Sequence, residues 1–352
     1  MGEPFSVTGC TPADYADIAD IQEGLLAGGR DGNLAYLKWK YGANPYLDDR
    51  YTVLARSGGA GGGDLIGMVG VFGSCWEAGG QRFVLPCLTD TIVAPEYRNS
   101  SAFHDMVDTV LELLRRDGVP WLLDFGDQGT IPSMLVRGWR MVGPWAQSAL
   151  TRPEGFRPPA AWEEVPPSSG ANSGVLLRAT PGADLDAMVA VARGVPQDGR
   201  VRVVRDRAYF TWRAANPLAR YYYLVAGGEE PQGYLVAHRS GVDTDEGPTP
   251  TTIVECEART DEVFADLVLA AHERLPGRRV VMGTRDVCRA GLDVLTSLGA
   301  DIVQPTGRFT RDRPLPNLII RDTGTAGVPA ELAGLLEPEV WDFRGVTGRG
   351  WR

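Results

Sequence analysis

"AYLKWKYGANP" runs from Ala35 to Pro45, and a shortened echo, "AYFTWRAANP", runs from Ala208 to Pro217. A duplication should leave further echoes in the same order. Two more are present. "CTPADYADI" from Cys10 answers "ATPGADLDAM" from Ala179, and "GWRMVGP" from Gly138 answers "GADIVQP" from Gly299. The three pairs are separated by about 160 to 175 residues, as expected of copies that differ in loop length. The chain therefore reads as two copies of one domain.

The echoes also predict local structure. Thr-Pro ahead of an acidic, amphipathic run predicts helix starts at Thr11-Pro12 and Thr180-Pro181, because Thr caps a helix and Pro fits its first position. Gly138 and Gly299 each read as a helix end followed by an alternating strand and Pro. The aromatic residues of the repeated phrase, Tyr36, Trp39, Tyr209 and Trp212, read as domain-core anchors.

A chain of 352 residues, 43% of them hydrophobic, is ample for two cores. Residues 153–174 are rich in Pro, Ser and Gly and read as a linker. The expected organisation is a first domain over 1–152, a second over 175–322 and a tail over 323–352. Residues 57–64 read as a glycine-rich hairpin loop, since no helix follows. The net charge of −10 argues against a nucleic-acid partner. Five scattered cysteines and three histidines, none at metal-ligand spacing, predict reduced thiols and no metal. The N-terminus has no signal pattern and no run reaches membrane-span length, so a cytoplasmic protein without a membrane partner is expected.

The first half reads as strand, two helices, three strands, helix, strand, helix, strand, which is a mixed α/β layer architecture. Its informative junction is "VAPEYRNSSAF", Val93 to Phe103. A strand ends there, the chain turns through small polar residues, and a helix begins with a stripe of Phe103, Met106, Val107, Val110, Leu111 and Leu114. The free amides and dipole of such a helix start form an anion site.

This junction resembles the acyl-CoA signature of the GNAT (Gcn5-related N-acetyltransferase) superfamily, and "RGWRMVG" resembles that family's closing motif. The resemblance covers most of residues 6–152; the second half follows through the repeat. It implies two tandem GNAT-like domains, each a mixed, mostly antiparallel sheet flanked by helices. It implies acyl-CoA, such as acetyl-CoA, as co-substrate, with pantetheine beside Ile92 and Val93 and pyrophosphate on Arg98 and the amides of Asn99, Ser100, Ser101, Ala102 and Phe103. Two departures stand out. Ser101 replaces the first signature Gly, and Met134 stands where many members carry a general-acid Tyr.

Asp90 and Asp124 are the candidate catalytic carboxylates. Asp90 could take a proton from an ammonium, hold the acceptor, or simply be satisfied by neighbouring donors. Asp127, Glu255 and Glu257 are candidates for acceptor binding, with Asp127 also a candidate helix cap. His104 could touch phosphate or be merely exposed. Cys87 lacks a local base and reads as buried. In the second half "EARTDEV" carries acids where phosphate would sit, so that copy is expected to form a wall rather than a cofactor site. The expected activity is acyl transfer to an amine of a small polar acceptor (an amino sugar, an amino acid or a natural-product intermediate). A carrier-protein-dependent acyltransferase and a non-catalytic binding protein stay open. The expected assembly is a monomer, as a pseudo-dimer of its halves, or a homodimer.

Overall fold

The computed structural model describes residues 4–22, 29–58, 62–126, 129–144, 146–157, 162, 166–240, 250–303, 317–325 and 334–343. The chain runs β1 (Phe5–Gly9), α1 (Tyr15–Ile21), α2 (Gly29–Leu37), β2 (Val53–Ser57), β3 (Leu65–Ala78), β4 (Gln81–Val93), α3 (Ala102–Arg116), β5 (Trp121–Gly126), α4 (Ile131–Val136) and β6 (Arg140–Pro144). It continues through β7 (Gln147–Thr151), β8 (Ser168–Ser169), β9 (Leu176–Thr180), α5 (Leu185–Gly194), β10 (Val201–Val203), α6 (Arg207–Ala214), β11 (Ala219–Gly227), β12 (Pro231–Ser240) and β13 (Thr251–Ala258). It ends with α7 (Asp261–Arg274), β14 (Arg279–Gly283), α8 (Arg289–Ser297), β15 (Asp301–Val303), β16 (Asn317–Asp322) and β17 (Trp341–Asp342).

Two compact units result. Unit 1 comprises Met1–Gly143, Ala215–Pro217 and Pro316–Val340; unit 2 comprises Pro144–Ala214, Leu218–Leu315 and Trp341–Arg352. The sheet of unit 1 has the order β1-β2-β3-β4-β5-β16-β6. The strands from β1 to β4 are antiparallel, β4 and β5 are parallel, and β16 returns antiparallel to β5. Alternation along the strands sends side chains to two faces. Leu54 and Met68 pack under Ile18, Leu37 and Tyr41 of the α1/α2 layer. Val53, Ala55, Ile66 and Val69 pack under Met106, Val107, Val110 and Leu114, the stripe expected of α3.

The sheet of unit 2 has the order β15-β7-β14-β13-β12-β11-β9-β8. β13 and β14 are its counterpart of the parallel pair. Val263, Phe264, Leu267 and Val268 of α7 close one face over Leu224, Leu235 and Ile253. Both units are thus mixed, mostly antiparallel sheets flanked by helices.

The helix-ending glycines match their echo. Gly138 (φ +87°) and Gly299 (φ +73°) both adopt the left-handed conformation. The following amides, Trp139 N–H and Ala300 N–H, donate to the carbonyls of Met134 and Leu295, five residues back. This is the Schellman closure, which a residue with a Cβ adopts at a cost.

Five sequence expectations are corrected. The last strand expected of the first domain, "RMVGPWAQSAL" from Arg140 to Leu150, is two strands, because β6 stays in unit 1 whereas β7 pairs with β14 and β15 in unit 2. β16, expected to end the second domain, instead pairs with β5 from Asn317↔Gly126 to Asp322↔Trp121. An alternating segment announces a strand but not the sheet that will take it. The expected linker is partly structured: Trp162 is buried in the core of unit 2, β8 pairs with β9, and Asn172 and Ser173 donate to the Asp266 carboxylate. Of the expected tail, Trp341–Asp342 pairs in parallel with β10. Finally, Thr180 is the last residue of β9; α5 is capped by Asp184, whose side chain accepts from Ala187 N–H at 3.1 Å.

Candidate functional site

In unit 1, β4 and β5 pair only through Cys87↔Leu123 and Leu88↔Asp124. Beyond Leu88 the two parallel strands part. β4 continues to Val93, bonded on its other side to β3, and α3 begins nine residues later at Ala102. Between them Tyr97 is buried, while Arg98, Asn99 and Ser101 are exposed.

The turn organises itself with its own hydroxyls. Ser100 Oγ donates to the Tyr97 carbonyl at 2.7 Å and accepts from Ala102 N–H at 3.2 Å. Ser101 Oγ donates to Asp105 Oδ2 at 2.7 Å. Among the described residues, the amides of Ser101, Phe103 and His104 have no hydrogen-bond partner. They are the unpaired donors that a helix start offers to an anion. Arg98 Nε donates to the Val93 carbonyl at 3.3 Å, fixing the guanidinium beside the end of β4. Phe103 packs into the α3 core, as its place on the stripe requires. Ile92 packs on the α1/α2 layer and Val93 on the α3 layer. Burial, with Arg137 nearby, lowers the His104 imidazole pKa, which favours the neutral ring.

Asp90 lies just past the point where β4 leaves β5. Its side chain is fully enclosed and ion-paired with Lys40 Nζ at 2.7 Å. Oδ2 also accepts from Tyr41 Oη at 2.8 Å and Tyr36 Oη at 3.1 Å, and Oδ1 accepts from Thr89 Oγ1 at 3.2 Å. Lys40 spends its other two protons on Tyr36 Oη at 2.7 Å and Thr89 Oγ1 at 2.9 Å. The rings of Tyr36, Phe72 and Tyr41 surround the ammonium at 5.1, 5.5 and 5.9 Å. The expectation of a proton-accepting Asp90 therefore meets a carboxylate that three donors already hold on one oxygen. Lys40, Tyr36 and Tyr41 come from the repeated phrase, which the sequence reading assigned to scaffold alone. The signal that could have singled them out was Lys40 itself, a charge inside a run of aromatic residues.

Asp124 is half-buried and pairs with Leu88, so it shares the α3 face with Leu88 and Leu122. Asp90 faces α2. The structure does not bring the two carboxylates together. Asp127 lies outside the described residues. Met134, where the family pattern has Tyr, is buried in the α3 core and offers no proton. Cys87 is buried and donates to the Leu88 carbonyl, as expected of a structural thiol. A cavity of about 740 Å³ opens on the α1/α2 layer, bordered by Tyr15, Lys38, Tyr41, Asn44 and Asp49 among others. Asn44 shapes its rim by donating to the Gly73 carbonyl and accepting from Tyr46 and Leu47 N–H.

Unit 2 repeats the strand parting and places buried acids beside it. β13 and β14 pair from Thr251↔Val280 to Ile253↔Met282 and then separate. Glu255 is wholly buried; it accepts from Arg205 Nε at 2.8 Å and from the Tyr209 hydroxyl. Glu257 lies 3.5 Å from the same guanidinium. Both acids are spent inside unit 2. The start of α7 is occupied as well, since Thr260 Oγ1 accepts from Val263 N–H and Asp261 and Glu262 fill the first turn. The acidic residues expected there therefore serve the helix itself. Among the described residues no cluster of His, Cys, Asp or Glu could hold a metal, and no helix is long and apolar enough to cross a membrane.

Residues 11–131 match the model of the acetyltransferase (GNAT) domain. Comparison with curated proteins finds no match. Solved structures with a similar fold include a GCN5-related N-acetyltransferase from Anabaena variabilis, 14% identical, at TM-score 0.60 over 91% of this chain and 73% of that one. A tandem GNAT protein from the clavulanic acid biosynthesis pathway, also 14% identical, gives TM-score 0.57 over 92% of this chain and 100% of that one. Saccharomyces cerevisiae N-myristoyltransferase, 10% identical, gives 0.58 over 90% and 79%.

Proposed function

We propose that unit 1, of which residues 11–131 match the model of the acetyltransferase (GNAT) domain, takes an acyl-CoA and passes its acyl group to an amine of a small polar acceptor. The observation that carries this reading is the parting of β4 from β5 after Leu88 directly upstream of an α3 start with unpaired amides. Pantetheine would lie along Ile92 and Val93, and the pyrophosphate on Arg98 and the amides of Ser101 and Phe103. The amine lone pair attacks the thioester carbonyl carbon, the bond to sulfur breaks, and the thiolate leaves. Asp124, beside the parting and not enclosed, takes the amine proton. Asp90 serves as an anchor. Unit 2, with its helix start self-capped by Thr260 and lined by Asp261 and Glu262, holds no acyl-CoA.

Calorimetric titration with acetyl-CoA tests this. One site per chain is expected, and Arg98→Ala should weaken it by about tenfold, the worth of one charge-assisted contact. Asp124→Asn should lower kcat while leaving acetyl-CoA affinity unchanged. Absence of binding at millimolar CoA overturns the reading and leaves the carrier-protein and binding-protein alternatives.

A further inference from the structure

The enclosed cluster of unit 1 surrounds a backbone irregularity. The β3–β4 register shifts between Met68 and Gly70, so β4 bulges at Asp90 and Thr91. Asp90 sits there at φ +46°; among the described residues only Asp286 is another non-glycine at positive φ. Such a conformation disfavours any residue with a Cβ, although Asp tolerates it better than most, and it persists where the surroundings hold it. The bulge comes two residues after the last pairing of β4 with β5. The irregularity is thus located where the strands part.

We propose that Lys40 is a positioning residue whose ion pair with Asp90 holds the β4 bulge and so keeps β4 parted from β5. Its functional consequence rests on reading that parting as the acyl-CoA site.

Three features build the hold. After α2 the chain winds a π-helical turn, Lys38–Gly42, in which Trp39, Lys40 and Tyr41 are all buried. The wider turn brings consecutive residues inward, which an α-helical continuation would not do, and such turns are frequent at functional sites. Gly70 then leaves room for a hydroxyl, because a Cβ there would stand 2.1 Å from Tyr41 Oη. Last, every proton of Lys40 has an acceptor, and its acceptors belong to Asp90, its neighbour Thr89 and Tyr36.

Unit 2 supplies an internal control. Its β12–β13 register shifts between Val236 and Ala237, opposite Ile253 and Glu255, again where the parallel pair ends. Tyr209, the counterpart of Tyr36, again donates to the acid beside the bulge. The cation differs: Arg205 precedes the repeated phrase, whereas Lys40 lies within it. Two different charges clasp the same bulge, so the bulge is the shared element and the ion pair is the means.

The test compares the full-length wild type with Lys40→Met and with the double variant Lys40→Met/Asp90→Gly. Glycine accepts the left-handed conformation unaided, so the double variant keeps the bulge without the clasp. Amide hydrogen exchange over residues 89–93 and calorimetric titration with CoA are the readouts. Lys40→Met should speed exchange over that stretch and weaken CoA by about tenfold or more; the double variant should return both to within about threefold of wild type. If Lys40→Met does not fold, the double variant alone decides: protected 89–93 supports the clasp, and unprotected 89–93 overturns it. Unchanged exchange in folded Lys40→Met also overturns it, as does a double variant no better than the single one. Should the wild type bind no CoA, the acyl-CoA reading falls, while the exchange data still judge the clasp.

Discussion

Unit 1 and unit 2 put a buried carboxylate, a tyrosine hydroxyl and a cation at the same place in their sheets, yet only unit 1 leaves its helix start available. In unit 1 one ammonium faces one carboxylate and the remaining lone pairs go to hydroxyls. In unit 2 one guanidinium faces two carboxylates. The geometry of Arg favours this, since its fork can serve two acids at once. Arg213, the counterpart of Lys40, lies instead over the Tyr209 and Trp212 rings at 5.4 and 4.9 Å. The duplicated scaffold thus retains its clasp even in the unit whose helix start is capped by its own residues. The clasp recurs in both units, whereas the unpaired amides after Arg98 mark unit 1, where the acyl-CoA turn is proposed.

The largest test of this comparison is Arg205→Met, which would strand two buried carboxylates. Removing one partner of a buried pair costs about 3–5 kcal/mol, and here two acids lose the same partner. Unit 2 should unfold in chemical denaturation well before unit 1, read by hydrogen exchange unit by unit. A loss below about 1 kcal/mol would show that Arg205 adds little to the stability of unit 2 and that the two clasps are unlike in kind. Gly70→Ala should come next, at about 1–3 kcal/mol, because the new methyl must displace the Tyr41 hydroxyl or bend β3. Its effect should centre on unit 1. Tyr41→Phe in the same background should recover part of the loss by removing the clashing oxygen.

The smallest effect is set by pH. Burial lowers the pKa of His272 in α7, where its Nδ1 lies 2.8 Å from the Val268 carbonyl and the Arg152 guanidinium is close by. A depressed histidine pKa means that the unfolded chain takes up the proton first. Unit 2 should therefore lose stability as pH falls below about 6.5, by at most about 1.4 kcal/mol per pH unit. His272→Gln should flatten that slope. His104 in unit 1 is shifted the same way but is partly exposed, so acid should loosen unit 2 first. A steeper acid loss in unit 1 would reverse this ordering.

Much of the architecture was legible because it rests on periodic or positional signals. The α3 stripe, the glycine closures at 138 and 299 and the strand–turn–helix junction at Val93–Phe103 all depend on neighbours within a few residues. The junction and its exposed Arg98 were found for that reason. Less legible were Lys40, Tyr36 and Tyr41. Their partner Asp90 lies 49 to 54 residues away, and only folding brings them into contact. The same limit paired Asp90 with Asp124 as candidate catalytic carboxylates: both sit on strands at the right end of the sheet, but the bulge turns one to the α2 face. β7 and β16 lie within the expected bounds of one domain but join the sheet of the other, because an alternating strand carries no label for its neighbour.

By itself the sequence determined that two related domains exist, where the helices before Gly138 and Gly299 end, and which strand–turn–helix junction leaves its amides unpaired. These follow from local backbone preferences and from the short range of capping and amphipathic packing. Only the tertiary structure decided which strand completes which sheet, that Asp90 is an anchor enclosed by Lys40, and that Glu255 and Glu257 are spent on Arg205. Those outcomes depend on long-range contacts between buried charges. Desolvation requires such groups to find partners wherever the fold supplies them, whatever their distance along the chain.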